Sequence, residues 1–258
     1  MYRNRLTRTI FPALLTSILW DGMSLAVSKG ADEPSVDVNW SMMRVRFHGE
    51  AGGSALSGEN YQTTTERALQ DGLSRLVRSF PEAFAQSLGR EVTGADREIA
   101  HRIASSTYIA HAEYFANGDV KVDLESNLAR ALAAGSEKFR KAQVENLPMI
   151  NTALVIQLDQ ASHPLLAYEI VDAATGEVLF QKADVAQEEY EKNLMGRWFI
   201  GSRSREYRTY VGSQPVTIEA RLIDGGKLQV ARQQWDTATQ SNPGLLELAK
   251  LAIVTPSK

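Results

Sequence analysis

The chain has 258 residues, 28 basic against 31 acidic side chains, a formal charge of −3 and no cysteine. A mildly acidic balance argues against nucleic acid as a partner. The lack of cysteine excludes disulfides, thiol nucleophiles, cysteine metal sites and a lipidated cysteine anchor.

Arg3, Arg5 and Arg8 precede an 11-residue apolar run from Ile10 to Trp20, and Ser24-Leu25-Ala26 offers small side chains for cleavage. This order predicts a secretory signal peptide over 1–26. The run is too short for a membrane span, which needs about 20 residues. Its removal takes away three arginines and one aspartate and leaves a charge of −5. The expected destination is the periplasm.

A polar stretch, 27–36, is followed by a predicted strand from Trp40 to Glu50. Val45 and Phe47 share one face of it, and Arg44, Arg46 and His48 the other. Gly49 to Gly58 read as a loop. Tyr61, Thr65, Ala68, Leu69, Leu73, Leu76, Val77 and Phe80 recur at helical spacing and predict an amphipathic helix. Pro81 is expected to interrupt it, with a second piece running to Leu88 and Gly89 as the stop. A shorter helix is predicted over Ala95–Ala104, with Thr93 as its cap.

Two alternating runs, Tyr108–Tyr114 and Val120–Glu125, flank Asn117-Gly118 and predict a hairpin. Even-numbered residues of both arms are expected to share one buried face. Leu128–Ala142 reads as a helix and Pro148 as a boundary. Strands are predicted at Ala153–Ile156, Leu165–Val171 and Glu177–Gln181, then a helix over 184–196. A second hairpin, Val216–Ile223 with Lys227–Arg232, turns at Asp224-Gly225-Gly226. Asn242-Pro243 would open a last helix carrying Leu245, Leu246, Leu248, Leu251 and Ala252.

The expected class is α+β, with helices packed on a small antiparallel sheet and a second α/β subdomain behind it. The expected division is 27–146 and 147–258.

No catalytic, cofactor or metal constellation stands out. His48, His101, His111 and His163 lack metal-ligand spacing, and the glycines at 49, 52, 53 and 58 spell no phosphate loop. Glu188, Glu189 and Glu191 read as a solvated helix face. The densest unusual stretch holds Met195, Arg197, Trp198, Phe199, Arg203, Arg205 and Tyr207. Methionine, aromatics and arginine are enriched at protein interfaces, so these seven residues are the candidate interface. The same aromatics would equally serve a core.

Several segments resemble one family. Val45-Arg46-Phe47-His48-Gly49-Glu50-Ala51, the helix around Ala68–Val77 and the stretch Ser105–Ala131 are similar to the domain of the bacterial LPP-twenty lipoproteins, which include FlgP-like flagellar assembly proteins. Thr152-Ala153-Leu154-Val155-Ile156-Gln157 resembles that family's TGLVID strand. Pro164–Asp172 resembles its PALAPRIVD segment, and Gly176–Phe180 its GKEVYG turn. Ala153 and Gln157 depart from the family's Gly and Asp, and the lipidation cysteine is missing. The resemblance implies a non-enzymatic envelope protein, periplasmic or outer-membrane-associated, that supports flagellar structures. Its implied partners are other envelope or flagellar proteins and further copies of itself, with no cofactor; the family is often lipidated, and the missing cysteine is what argues here against a direct lipid anchor. A periplasmic ligand-binding protein or enzyme is the alternative, and for it His111, Glu113 and Arg203 would be natural pocket residues.

Overall fold

The computed structural model describes residues 36–53, 60–134, 152–242 and 244–257, and the fold is α+β. The expected leader, the boundary at 146–147 and the far part of the predicted 128–142 helix, Phe139 included, lie outside the described residues.

The first sheet contains β1 (Asp37–Asn39), β2 (Arg44–Ala51), β3 (Tyr108–Tyr114) and β4 (Val120–Asn127). Its order is β1-β2-β4-β3, antiparallel throughout. The predicted strand at Trp40 starts later than expected. The Asn39 side chain accepts from the Met42 amide and the Ser41 hydroxyl and turns Trp40–Met43 between two strands. From Arg44 onward the predicted alternation holds, with Val45 and Phe47 buried.

Helix α1 (Tyr61–Ser87) begins at Asn60, whose side chain accepts from the Thr63 amide. Its inward stripe is Thr64, Ala68, Gly72, Leu76, Phe80 and Phe84, while Tyr61 faces solvent. Pro81 does not interrupt it. Loss of one backbone bond and ring crowding cost about 3 kcal/mol. Burial of Phe80 and Phe84 offsets that at roughly 1.5–3 kcal/mol each; their rings stack at 5.0 Å, with Trp40 against Phe84 at 5.7 Å. The helix ends as Gly89 predicts. Gly89 has φ +65°, its amide donates to the Gln86 carbonyl, and the Arg90 amide donates to that of Ala85. These two bonds form a Schellman motif.

Helix α2 (Gly94–Ser105) follows, with Ile99 and Ile103 buried as expected. At its start the fully buried Asp96 carboxylate takes the Arg90 guanidinium at 2.6 and 2.8 Å and the Thr93 amide at 2.7 Å. The Arg90 bond holds this carboxyl below its ordinary value. Helix α3 (Leu128–Ala133) then leaves the first sheet.

The second sheet is mixed. It comprises β5 (Leu154–Leu158), β6 (Glu169–Asp172), β7 (Val178–Phe180), β8 (Arg197–Ile200), β9 (Val216–Ile223), β10 (Lys227–Val230) and β11 (Leu251–Thr255), ordered β7-β6-β10-β9-β5-β11-β8. Helices α4 (Gln187–Asn193), α5 (Arg205–Val211) and α6 (Arg232–Gln240) accompany it. The predicted strand at 165–171 shortens to β6. The predicted helix at 184–196 narrows to α4, after a 3-10 turn at Lys182–Asp184.

The C-terminal prediction fails. Residues 244–249 form turns, and Leu251–Thr255 is a strand between β5 and β8, parallel to both. Leu251 and Ile253 face the main core, whereas Ala252 and Val254 face α5. A strand buried on both faces is a continuous apolar run, which periodicity cannot separate from a buried helix. Helix α6 is also unanticipated, because it buries only Trp235 and Ala238. One apolar cluster runs from Trp40, Phe47 and Phe84 through Trp198 and Ile253, so both sheets contribute to the same core.

Gly49 lies in β2, inside the predicted strand and outside the loop that was expected to begin with it. A Cβ there would lie 2.0 Å from the Ala68 carbonyl oxygen, and one on Gly72 would lie 2.5 Å from a Leu124 methyl and 3.2 Å from the Gly49 Cα. Two glycines thus let α1 rest directly on β2. Gly49→Ala must push backbone aside and should destabilise by about 3 kcal/mol. Gly72→Ala should cost about 1 kcal/mol, because the Leu124 methyl can move and alanine gains helix propensity. Urea unfolding of the two variants checks the order.

Candidate interaction surface

Helix α1 lies across β2 and β4 and reaches β3 only at its margin. This leaves β3 as an edge strand with one sheet neighbour among the described residues. The predicted buried face of β3 is therefore reduced to Ala112, half-buried against the core. Tyr108 is 52% exposed, Ile109 38%, Tyr114 55% and the following Phe115 38%. On β4, by contrast, Val120, Val122 and Leu124 are buried as expected.

A bulge also breaks the predicted parity. Tyr108 faces Glu125 and Ile109 faces Leu124, but His111 then faces Asp123, with Ala110 as the extra residue. Tyr108, His111 and Glu113 consequently share the polar side of the sheet, and Ile109, Ala112 and Tyr114 the helix side. The hairpin itself closes through Phe115 and Asp119, and only Gly118 takes positive φ, at +91°. It is a three-residue loop, not a two-residue Asn-Gly turn.

Beside β3 the aromatic side chains organise one another. Tyr61 meets Tyr114 edge-on at 5.3 Å, and its hydroxyl donates to the Phe115 carbonyl at 3.0 Å. Lys121 lies 5.9 Å from the Phe115 ring. The result is a fixed apolar border along an open strand edge.

The polar side of the sheet is a lattice of ion pairs. Glu125 accepts from Arg46 at 2.6 Å, Arg44 at 3.1 Å and the Tyr108 hydroxyl at 3.0 Å. Burial alone would raise the Glu125 carboxyl, but the Tyr108 bond and the two guanidinium groups outweigh it and hold the group below its ordinary value. The Tyr108 phenol is raised in turn by donating to that carboxylate. Next in the lattice, His48 meets Asp123 at 2.7 Å, and Glu50 is approached by Arg75 at 3.6 Å and Lys121 at 3.9 Å. His48, Glu50, Arg75, Glu113, Lys121 and Asp123 border a polar cleft of about 260 Å³. A His–Asp pair can orient a general base. Among the described residues no serine, threonine or tyrosine lines this cleft to receive it. Among the described residues no group of three His, Asp or Glu side chains could hold a metal ion.

The seven residues singled out in the sequence do not form one surface. Met195, Trp198, Phe199 and Tyr207 are buried. Phe199 packs edge-on against Tyr207 at 5.4 Å, and the Tyr168 hydroxyl donates to the Met195 carbonyl. Arg197 is partly buried, stacks over Tyr210 at 4.5 Å and donates to Asn193. Burial draws its guanidinium down. Arg203 and Arg205 are exposed on the approach to and first turn of α5. The aromatics serve the core and only the arginines reach solvent. His111 and Glu113 lie on β3 and Glu113 borders the cleft, which Arg203 does not line.

No family model matches the chain, and no curated protein matches it.

Glu125→Gln tests the lattice. The variant should lose about 1–3 kcal/mol at neutral pH, since two guanidinium groups lose their charged acceptor. The wild-type carboxyl is held below 4.5, so its contribution is complete above that value and fades as pH falls through the folded one. The gap between wild type and variant in urea melts should therefore narrow below pH 4.5 and close in strong acid.

Proposed function

We propose that this chain is an exported, non-enzymatic protein of the bacterial envelope, periplasmic or outer-membrane-associated, that works as a structural or assembly component through contacts with other proteins. The observation that carries it is β3, an open strand edge bordered by exposed Tyr108, Ile109, Tyr114 and Phe115. Unpaired strand edges and exposed aromatics are the features by which folded proteins add a partner strand. The basic-then-apolar start of the sequence supports export. The flagellar part rests on the resemblance of Val45–Ala51, Thr152–Gln157 and Pro164–Asp172 to the LPP-twenty family, and it makes the protein a flagellum-associated scaffold or ring component.

Cell fractionation and motility test the two parts separately. The protein should be recovered from the periplasmic or outer-membrane fraction with an N-terminus at or near Val27, and a deletion strain should swim poorly. A cytosolic chain beginning at Met1 would overturn the envelope assignment. Full motility of the deletion strain would remove the flagellar role alone.

A further inference from the structure

We infer that β3 is the self-association edge of this protein, pairing antiparallel with β3 of a second copy about a two-fold axis at Ala112. The inference rests on the proposed role in protein–protein contact and names the partner.

Beyond the bulge, residues 111–114 pair regularly with β4, and the strand carries neither the lysine nor the proline that commonly blunt an edge. A two-fold contact is isologous, so the segment must complement itself. Opposed residues of an antiparallel pair point to the same side of the sheet, so the axis must pass through a residue.

Centring on Glu113 would oppose two carboxylates, and centring on His111 would oppose two imidazoles and run the bulge into the ladder. With Ala112 at the axis, His111 faces Glu113 of the second copy, and Glu113 faces its His111. Small Ala112 side chains meet on the helix side.

Charge supports that register strongly. Within one chain His48 faces Asp123, which faces His111, and Glu50 faces Lys121, which faces Glu113. Joined at Ala112, the row across the double sheet reads His48, Asp123, His111, then Glu113, Lys121 and Glu50 of the second copy. Imidazole or ammonium groups alternate with carboxylates across the six strands that this row crosses, and the symmetry generates a second such row. Opposite charges placed directly across strands stabilise pairing, whereas like charges weaken it.

The test uses the full chain, which has no cysteine of its own. Directly opposed Cα atoms stand about 4.5–5.5 Å apart, within disulfide reach. Ala112→Cys should therefore give a covalent dimer on mild oxidation. Val178→Cys, exposed on the β7 edge, should not. By light scattering, Glu113→Lys should weaken the wild-type dimer roughly tenfold, and adding His111→Glu should restore it, with thermal melts confirming that both variants fold. A wild-type chain that stays monomeric at its highest soluble concentration overturns self-pairing. A wild-type dimer that neither cross-links at position 112 nor responds to the charge swap overturns this edge but leaves contact with other proteins standing. Failure of the envelope assignment would be read separately, from fractionation.

Discussion

The approach of α1 to β2 at Gly72 and Gly49 sets the geometry of the first sheet. Side chains normally hold a helix away from the backbone of a sheet, but here neither residue has one and the Gly49 backbone lies directly under the helix. The stripe from Thr64 to Phe84 is pulled down onto Phe47, Val122 and Leu124, all fully buried or nearly so. The C-terminal end of α1 arrives where Trp40 donates to Ser87 and where the Ser87 carbonyl lies 3.3 Å from His163 of the second half. A wider spacing at the glycines would lift that end and disturb contacts with both sheets.

The same placement decides what stays exposed. A helix seated over β2 and β4 has no width left for β3. The bulge at Ala110 then turns Tyr108 toward Glu125, where Arg44, Arg46 and the phenol satisfy a carboxylate that burial alone would disfavour. The edge strand is thus fastened chiefly through its polar side, while Ile109 and Tyr114 on its apolar side stay exposed. Strength of attachment and openness to a partner come from different faces of one strand.

Patterns with a single strong period were legible in the sequence: the alternation of Val45 and Phe47, the helical stripe around Ala68 and Leu76, and Gly89 and Gly176 at turns. Three features were not. Gly49 has the same letter whether it loosens a loop or admits a helix, and only the neighbour decides. Leu251–Thr255 is apolar on both faces because α5 covers one side and the main core the other, so no period distinguishes strand from helix. The bulge at Ala110 is one residue long and shifts parity without changing composition, so Tyr108 leaves the side it was expected to share with Ala112 and Tyr114. The burial of part of the candidate interface was illegible for a related reason: Met195, Trp198 and Phe199 have the composition of an interface, and residue type does not separate that from a core.

The other sheet edges give β3 its significance. The edges at β1 and β7 are three residues long and that at β8 is four, whereas β3 has seven. Short edge strands offer few free backbone groups and are a common defence against unwanted pairing. Among the described residues three edges have that defence and one does not. The exception is bordered by the Tyr61, Tyr114 and Phe115 cluster, and its two outward-facing polar residues, His111 and Glu113, are complementary to each other. If the openness of β3 were incidental to the fold, its length, its border and its polar residues would have no reason to favour the same kind of partner. A strand that can pair with itself in a register free of like-charge contacts accounts for all three.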